Sequence, residues 1–233
     1  MQKIWKWLPH LAAIVLVLVC ARLAVWQFDR AEAKEERMTQ WNDAPTIALD
    51  AVPEPPLFST VSAIGHFDPE RHILLDNQIR NGHAGVHVFT PFVLEGTDQI
   101  YMVNRGWLPW DRRAQQGKPF ATDKDVMRIS GRLSDAPQVG LQLGEATALD
   151  SNAWPNLMTY YDIARIREVL GPAVSDTVVL LEPSHPAHLT GDDWQAVNMG
   201  PERHLGYAFQ WISIGTAIVI LWLILTYRSF RKQ

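Results

Sequence analysis

Two apolar runs enclosing a long stretch of alternating, β-branched sequence predict a membrane protein of the α+β class, with two transmembrane helices flanking a β-rich extracytoplasmic domain that holds one or two helices. Three observations carry this expectation. From Tyr207 to Tyr227 there are 21 residues without a charge, and at ~1.5 Å per residue they reach ~31 Å, enough to cross a bilayer core. A second run, "WLPHLAAIVLVLVCARLAVWQF", lies near the N-terminus. Between the two, short apolar segments of period two are separated by turn residues.

The first run contains His10, Arg22 and Gln27. A cleaved signal peptide has a similar basic start and apolar middle. Here the apolar character continues past Arg22 and ends at no small-x-small site, which favours an uncleaved signal anchor. An arginine near one end of a span reaches the headgroups, well below the ~2.5–3.5 kcal/mol of a central position. Lys3 and Lys6 precede this run, while Arg228, Arg231 and Lys232 follow the second, so both tails are expected in the cytoplasm. The expected organisation is a cytoplasmic tail (1–7), a transmembrane helix (8–28), the β-rich domain (29–203), a second transmembrane helix (204–227) and a cytoplasmic tail (228–233). In a bacterium the domain is then periplasmic and the protein multi-pass in the inner membrane; in a mitochondrion it faces the intermembrane space.

Residues 29–37, "DRAEAKEER", read as a polar helical extension of the first span, and "DAVPEPPLF" (Asp50 to Phe58) as a proline-rich entry loop. The runs "LFSTVSAIG", "HILLDN", "GVHVFTPFVL", "QIYMVNRG", "VMRISGRL" and "TVVLLE" are expected strands. Asn81-Gly82 supplies a tight hairpin connection and "EGTD" (Glu95 to Asp98) a second. Met158 to Gly171 reads as a helix, with Ile163, Ile166 and Leu170 on one side and Gly171-Pro172 ending it. In "VNRGWLPWDRR" (Val103 to Arg113) a strand is expected to end at Asn104-Arg105-Gly106. Trp107 and Trp110 then cap an apolar edge, or Arg105 clamps a carboxylate or packs on a ring.

Composition narrows the function. A net charge of -4 lacks the basic excess of a nucleic-acid binder, so no nucleic-acid partner is expected. The single cysteine, Cys20, excludes an internal disulfide framework and covalent haem attachment through two cysteines, and reads as a buried apolar helix residue. Ser130-Gly131 and Ser184-His185 lack nucleophile-elbow context. The pairs His83/His87 and His185/His188 suggest no third metal ligand and are simplest as loop histidines, and Asp123 and Asp125 as surface groups. The domain therefore offers no catalytic centre, and the protein is not expected to be an enzyme.

The head of the second span remains. On a helix His204, Tyr207, Trp211 and Ile214 recur at three- and four-residue steps and share a face. Trp26 and Arg30 are four apart on the first span, with Gln27 three before Arg30. One reading is an interfacial aromatic belt with a solvated histidine, with Trp26, Gln27 and Arg30 as a helix-packing signature. The other is a binding site built from these aromatic and polar side chains at the outer end of the two spans.

Four stretches give the chain its resemblance to the Surfeit locus protein one family, membrane factors for assembly of haem-copper (cytochrome c type) oxidase. "RLAVWQFDRAEAK" is similar to the family's Trp-Gln-x-x-Arg signature, and "HLGYAFQW" to its His-x-x-Tyr-Ala-x-x-Trp pattern. Between them lie "GHFDPERHILLDNQ" with "GHAGVHVFTPFVL", and then "VNRGWLP". Ala24 departs from the glycine common before x-Trp-Gln. The resemblance implies a β-rich domain and a role in maturing oxidase subunit I. It implies haem a as cofactor, with His204 as iron ligand; residue chemistry then adds Tyr207, Trp211, Trp26, Gln27 and Arg30 as cofactor-binding candidates, the rings packing the porphyrin and Gln210, Arg203 or Arg30 meeting a propionate. Expected partners are subunit I, haem A synthase and other oxidase assembly factors, and the lipid bilayer. The rival expectation is an interaction scaffold for subunit I that binds no haem.

Overall fold

The computed structural model describes residues 2–109, 122, 124–138, 148–189, 194–197 and 199–231, with side chains described from residue 7 onward. Its elements run α1 (Gln2–Asp43), β1 (Thr46–Ala48), β2 (Thr60–Phe67), β3 (Ile73–Arg80), β4 (His83–Leu94), β5 (Ile100–Pro109), β6 (Met127–Asp135), β7 (Asn156–Met158), α2 (Ile163–Leu170), β8 (Val174–Leu181) and α3 (Pro201–Arg231). They form two compact units: a helix pair, residues 1–42 with 195–233, and a β-rich unit, residues 43–194. Trp110, Arg113 and Asp123, singled out in the sequence, lie outside the described residues.

In the helix pair, α1 is 42 residues and α3 is 31 residues, or ~63 Å and ~46 Å, both longer than a bilayer core is thick. Each is apolar enough over much of its length to cross a membrane. Such helices suit an apolar solvent because their backbone hydrogen bonds are satisfied internally. α3 opens on Pro201 and Glu202 and closes on Arg228 and Arg231, so its charged ends oppose the helix dipole. The polar extension of α1 runs past residue 37 to Asp43, and Arg37 Nε donates to the Ala196 carbonyl at 3.3 Å.

The two helices meet along a seam of small residues. Cys20, Ala24, Gln27 and Ala31 are buried on α1. On α3, Ala208 and Gly215 are buried and His204 and Trp211 half-buried. Both sets step by four, three and four, the spacing of paired helices. Gly215 matters here: a Cβ placed on it would lie 3.3 Å from Cys20 Cβ, so its lack of a side chain lets the backbones approach. Three contacts fix an antiparallel register: Trp222 with His10, Gly215 with Cys20, and His204 with Gln27.

In the second unit the strand order is β1-β2-β6-β8-β5-β4-β3-β7, and an additional β2–β4 pairing closes β2, β6, β8, β5 and β4 into a ring. Closure needs a sharp approach where β2 meets the end of β4, and Gly65 provides it, since a Cβ there would fall 2.0 Å from the Val93 carbonyl oxygen. Period two divides the side chains. Val61, Ala63, Phe67, Phe92, Tyr101, Val103, Ile129, Leu133, Val179 and Leu181 form one core, while Ile73, Phe89, Met102, Val174 and Val178 form a second beneath α2. Ile166, fully buried, anchors α2 to that second core.

The expected strands and hairpins are present. Asn81 and Gly82 both take positive φ, 50° and 78°, between the paired Arg80 and His83, the conformation a two-residue primed turn demands. "EGTD" turns between the paired Val93 and Ile100. Two expectations are corrected. The helix predicted from Met158 begins only at Ile163, because Asn156–Met158 pairs parallel with β3 as β7 and Asp162 caps the helix, accepting from the amides of Ala164 and Arg165. Nor does β5 end at Asn104-Arg105-Gly106. The pairs His87–Trp107 and Phe89–Asn104 leave one extra residue in β5, a bulge in which Gly106 takes φ 109°, and the strand continues to Pro109. Trp107 therefore lies within the strand, over the open surface left by Gly85, and its indole N–H donates to the Gln78 carbonyl at 2.8 Å. β1 and β7 were not anticipated.

Candidate functional site

Four histidines of the β-rich unit, His72, His87, His185 and His188, make contacts within its structure. His72, 1% exposed, lies 2.9 Å from Thr90 Oγ1 through Nδ1 and 3.1 Å from the Pro69 carbonyl through Nε2. A carbonyl only accepts, so Nε2 carries the proton and Nδ1 accepts from the threonine hydroxyl. By the same reasoning His185 accepts the Ala187 amide at Nδ1 and donates from Nε2 to the Arg128 carbonyl. His87 Nδ1 accepts from Asn104 at 2.8 Å, and Trp194 packs edge-on against both His87 and His188. Ser130 donates to Glu182 rather than to a histidine. Among the described residues no three metal-ligating side chains cluster.

Arg105 of the "VNRGWLP" stretch is 2% exposed. Its Nε donates to the Ala187 carbonyl at 2.8 Å, and its guanidinium lies 5.6 Å from the centre of the Phe67 ring. Burial depresses its pKa to about 10, which still leaves it charged at neutral pH. This is the packed alternative of the sequence reading: the guanidinium holds a loop carbonyl and a ring.

The other candidate residues gather at one end of the helix pair. Gln27 is the one polar side chain among the seam residues of α1, 8% exposed, and its Oε1 lies 2.8 Å from His204 Nδ1. An amide oxygen only accepts, so in its neutral form His204 carries its proton on Nδ1 and keeps a bare lone pair on Nε2. That is the arrangement of an imidazole prepared to ligate a metal through Nε2, with the second nitrogen anchored by an acceptor. Trp211, two turns along α3, shares the seam and lines an apolar groove of about 280 Å³ with Cys20, Ala21 and Gly215. Tyr207 sits on the flank of this face, 48% exposed. Trp26 is 42% exposed, and Arg30 packs over its ring at 5.8 Å from the same helix. Arg203 and Gln210 are exposed. The structure thus brings His204 and Gln27 into contact and puts Trp211 on the same seam, while Trp26, Arg30 and Tyr207 present their rings and charge outward at that end.

At the opposite end of the pair, Trp222 Nε1 donates to His10 Nδ1 at 2.7 Å with the rings edge-on. Sequence reasoning weighed His10 only as a blemish in an apolar run. Neither this pair nor Gln27–His204 was anticipated. The signal within reach was the small residues Cys20, Ala24 and Ala31 in the first run and Ala208 and Gly215 in the second, whose spacing marks the facing sides.

With this geometry in hand, a family model described as the SURF1 family matches residues 14–216. The chain belongs to the SURF1 family. Both members of the His204–Gln27 contact lie inside the matched span, as does the whole β ring. Three SURF1-like proteins are among the chain's relatives. One from Rickettsia bellii is 23% identical over 222 residues, covering 92% of this chain and 89% of the relative. One from Monosiga brevicollis is 25% identical over 236 residues, covering 92% and 86%. One from Drosophila melanogaster is 25% identical over 155 residues, covering 66% of this chain and 47% of the fly protein. The first two alignments each cover 92% of this chain.

Proposed function

We propose that this SURF1-family chain is an assembly factor for a haem-copper oxidase, binding haem a at the Gln27–His204 end of its helix pair and assisting its insertion or stabilisation in subunit I. The observation that carries the reading is the 2.8 Å contact from His204 Nδ1 to Gln27 Oε1, which leaves Nε2 free to ligate. The residues at that end suit the cargo chemically. His204 supplies a neutral nitrogen donor, and Trp211, Tyr207 and Trp26 supply ring surface for a porphyrin. Arg30 and Arg203 supply charge for propionates. The role is that of a carrier and chaperone and not of an enzyme.

The helices fit two membrane crossings, with both termini in the cytoplasm and the β ring in the periplasm of a bacterial inner membrane. In that arrangement the ligand end of the pair opens at the periplasmic face, where Trp26 and Tyr207 sit at headgroup depth. Subunit I is the receiving partner, with haem A synthase and other oxidase assembly factors as the remaining partners. The test is to purify the protein from cells that make haem A and record its absorption spectrum with and without His204→Ala. A haem a band that is lost or strongly altered in the variant is expected. A wild type with no such band would leave a scaffold that holds subunit I without carrying haem.

A further inference from the structure

The helix pair contains two histidines, each held by a hydrogen bond at Nδ1, and the two bonds run in opposite senses. His10 accepts from the indole N–H of Trp222, so in its neutral form its proton lies on Nε2. His204 donates to Gln27 Oε1, so its proton lies on Nδ1. Only His204 presents a bare Nε2 towards its surroundings. The sequence grouped Gln27 with residues that touch the cofactor, yet its side chain is 8% exposed and turned onto the imidazole, with little of its surface left for a ligand.

We infer that Gln27 is a positioning residue, which acts through His204 by fixing its Nδ1–H tautomer and ring orientation and so makes Nε2 the single nitrogen donor of the helix pair. The inference rests on the proposed haem role of His204 for its purpose, but the tautomer itself is a property of the ligand-free protein. An imidazole free to choose would spend much of its time with the proton on Nε2, blocked as a ligand, and would rotate about its side-chain bonds. The amide removes both freedoms across the seam, from a different helix. Gln27 sits where a seam otherwise built of Cys20, Ala24 and Ala31 would take another small residue. A buried polar side chain at such a position needs a partner, and His204 is that partner.

Two variants separate the roles. Gln27→Leu keeps the bulk at the seam and removes the acceptor; Gln27→Glu keeps an acceptor and makes it anionic. The full chain, in lipid nanodiscs without haem, is labelled with ¹⁵N-histidine. In the wild type the His204 Nδ1 resonance is expected to be that of a protonated nitrogen and Nε2 that of a bare one, with His10 reversed. In Gln27→Leu the His204 pattern is expected to change to a mixture, while His10 keeps its own. Titration with extracted haem a is then expected to be about 10–100-fold weaker for Gln27→Leu. For Gln27→Glu binding recovers and the midpoint potential of the bound haem moves lower, because a carboxylate acceptor makes the imidazole more basic. An unchanged Nδ1–H pattern in Gln27→Leu would overturn the positioning role. A haem spectrum indifferent to His204→Ala would reject His204 as the iron ligand instead, and a wild type with no haem a band would overturn the haem reading, whatever the tautomer does.

Discussion

Pairing Phe67→Leu with Arg105→Met in a double-mutant cycle measures what holds a buried cation in the β ring. Arg105 is 2% exposed and burial depresses its pKa to about 10, a desolvation cost of about 3 kcal/mol. The lower value belongs to the folded state, so the cost is present in full at every pH below about 10. It is relieved only as pH climbs above about 10 towards the ordinary arginine range. Two contacts oppose it most strongly, beside a longer 3.4 Å bond from Nη1 to Thr90 Oγ1. The 2.8 Å bond from Nε to the Ala187 carbonyl contributes about 1.5–3 kcal/mol as a charge-assisted bond. The Phe67 ring at 5.6 Å from the guanidinium contributes about 2 kcal/mol in a desolvated setting. The first contact alone roughly cancels the cost, and the ring turns the balance favourable. The Phe67–Phe92 edge contact at 5.0 Å is lost with or without Arg105 and cancels in the cycle. The expected coupling energy is about 2 kcal/mol. The assay is urea unfolding of the full chain in detergent at pH 7, followed by the β-sheet circular-dichroism band. A coupling below about 0.5 kcal/mol would refute the ring's part in holding the charge.

Three further outcomes are expected. Gly215→Cys should form a disulfide with Cys20 on mild oxidation, since the Cβ–Cβ separation would be 3.3 Å, close to the ~3.5–4.5 Å of natural bridges. Cys20 is the chain's one native cysteine, so a two-dalton mass loss reads the pairing directly, and its absence would reject the register of the seam. Gly65→Val should prevent ring closure, because its first side-chain atom would meet the Val93 carbonyl oxygen at 2.0 Å. Loss of the cooperative β transition checks it, and a stability within about 1 kcal/mol of wild type would contradict the closed ring. Asp162→Ala removes the cap that accepts from Ala164 and Arg165 and should cost about 1 kcal/mol in the same unfolding assay, with Asp162→Asn recovering most of it.

Much of the fold could be read in advance because it is written in local periods. Six strands announced themselves by alternation, and Asn81-Gly82 named its own turn, since both positions need positive φ. What escaped was short or long-range. β1 and β7 are three residues each, too brief for a period of two to appear, and both are parallel edge partners whose identity depends on β2 and β3. The bulge at Gly106 resembles a strand end because glycine weakens any strand, and only the pairing with β4 reveals the continuation. At the candidate site the residue types were legible, yet the contact joining Gln27 to His204 spans 177 positions and leaves no trace in either local pattern. The shared face inferred for His204, Tyr207 and Trp211 holds for the first and third. Tyr207 falls on its flank because the seam follows Ala208 and Gly215.

The ring also sets an order of birth. Its last strand, β8, lies between β5 and β6, hydrogen-bonded in parallel to one and antiparallel to the other, so the circle stays open until Leu181 has been made. The hairpins β3–β4 and β4–β5 join through short turns and can form as they emerge, whereas β6 and β8 bring together distant parts of the chain. α3 begins at Pro201, shortly after β8 ends. During synthesis the ring therefore snaps shut at nearly the moment the second apolar helix appears. His204 arrives three residues into that helix, so Gln27, waiting on α1 since early in translation, meets its partner only once the β-rich unit is complete in sequence. A chain cut short before α3 would hold a finished ring and an amide facing no imidazole.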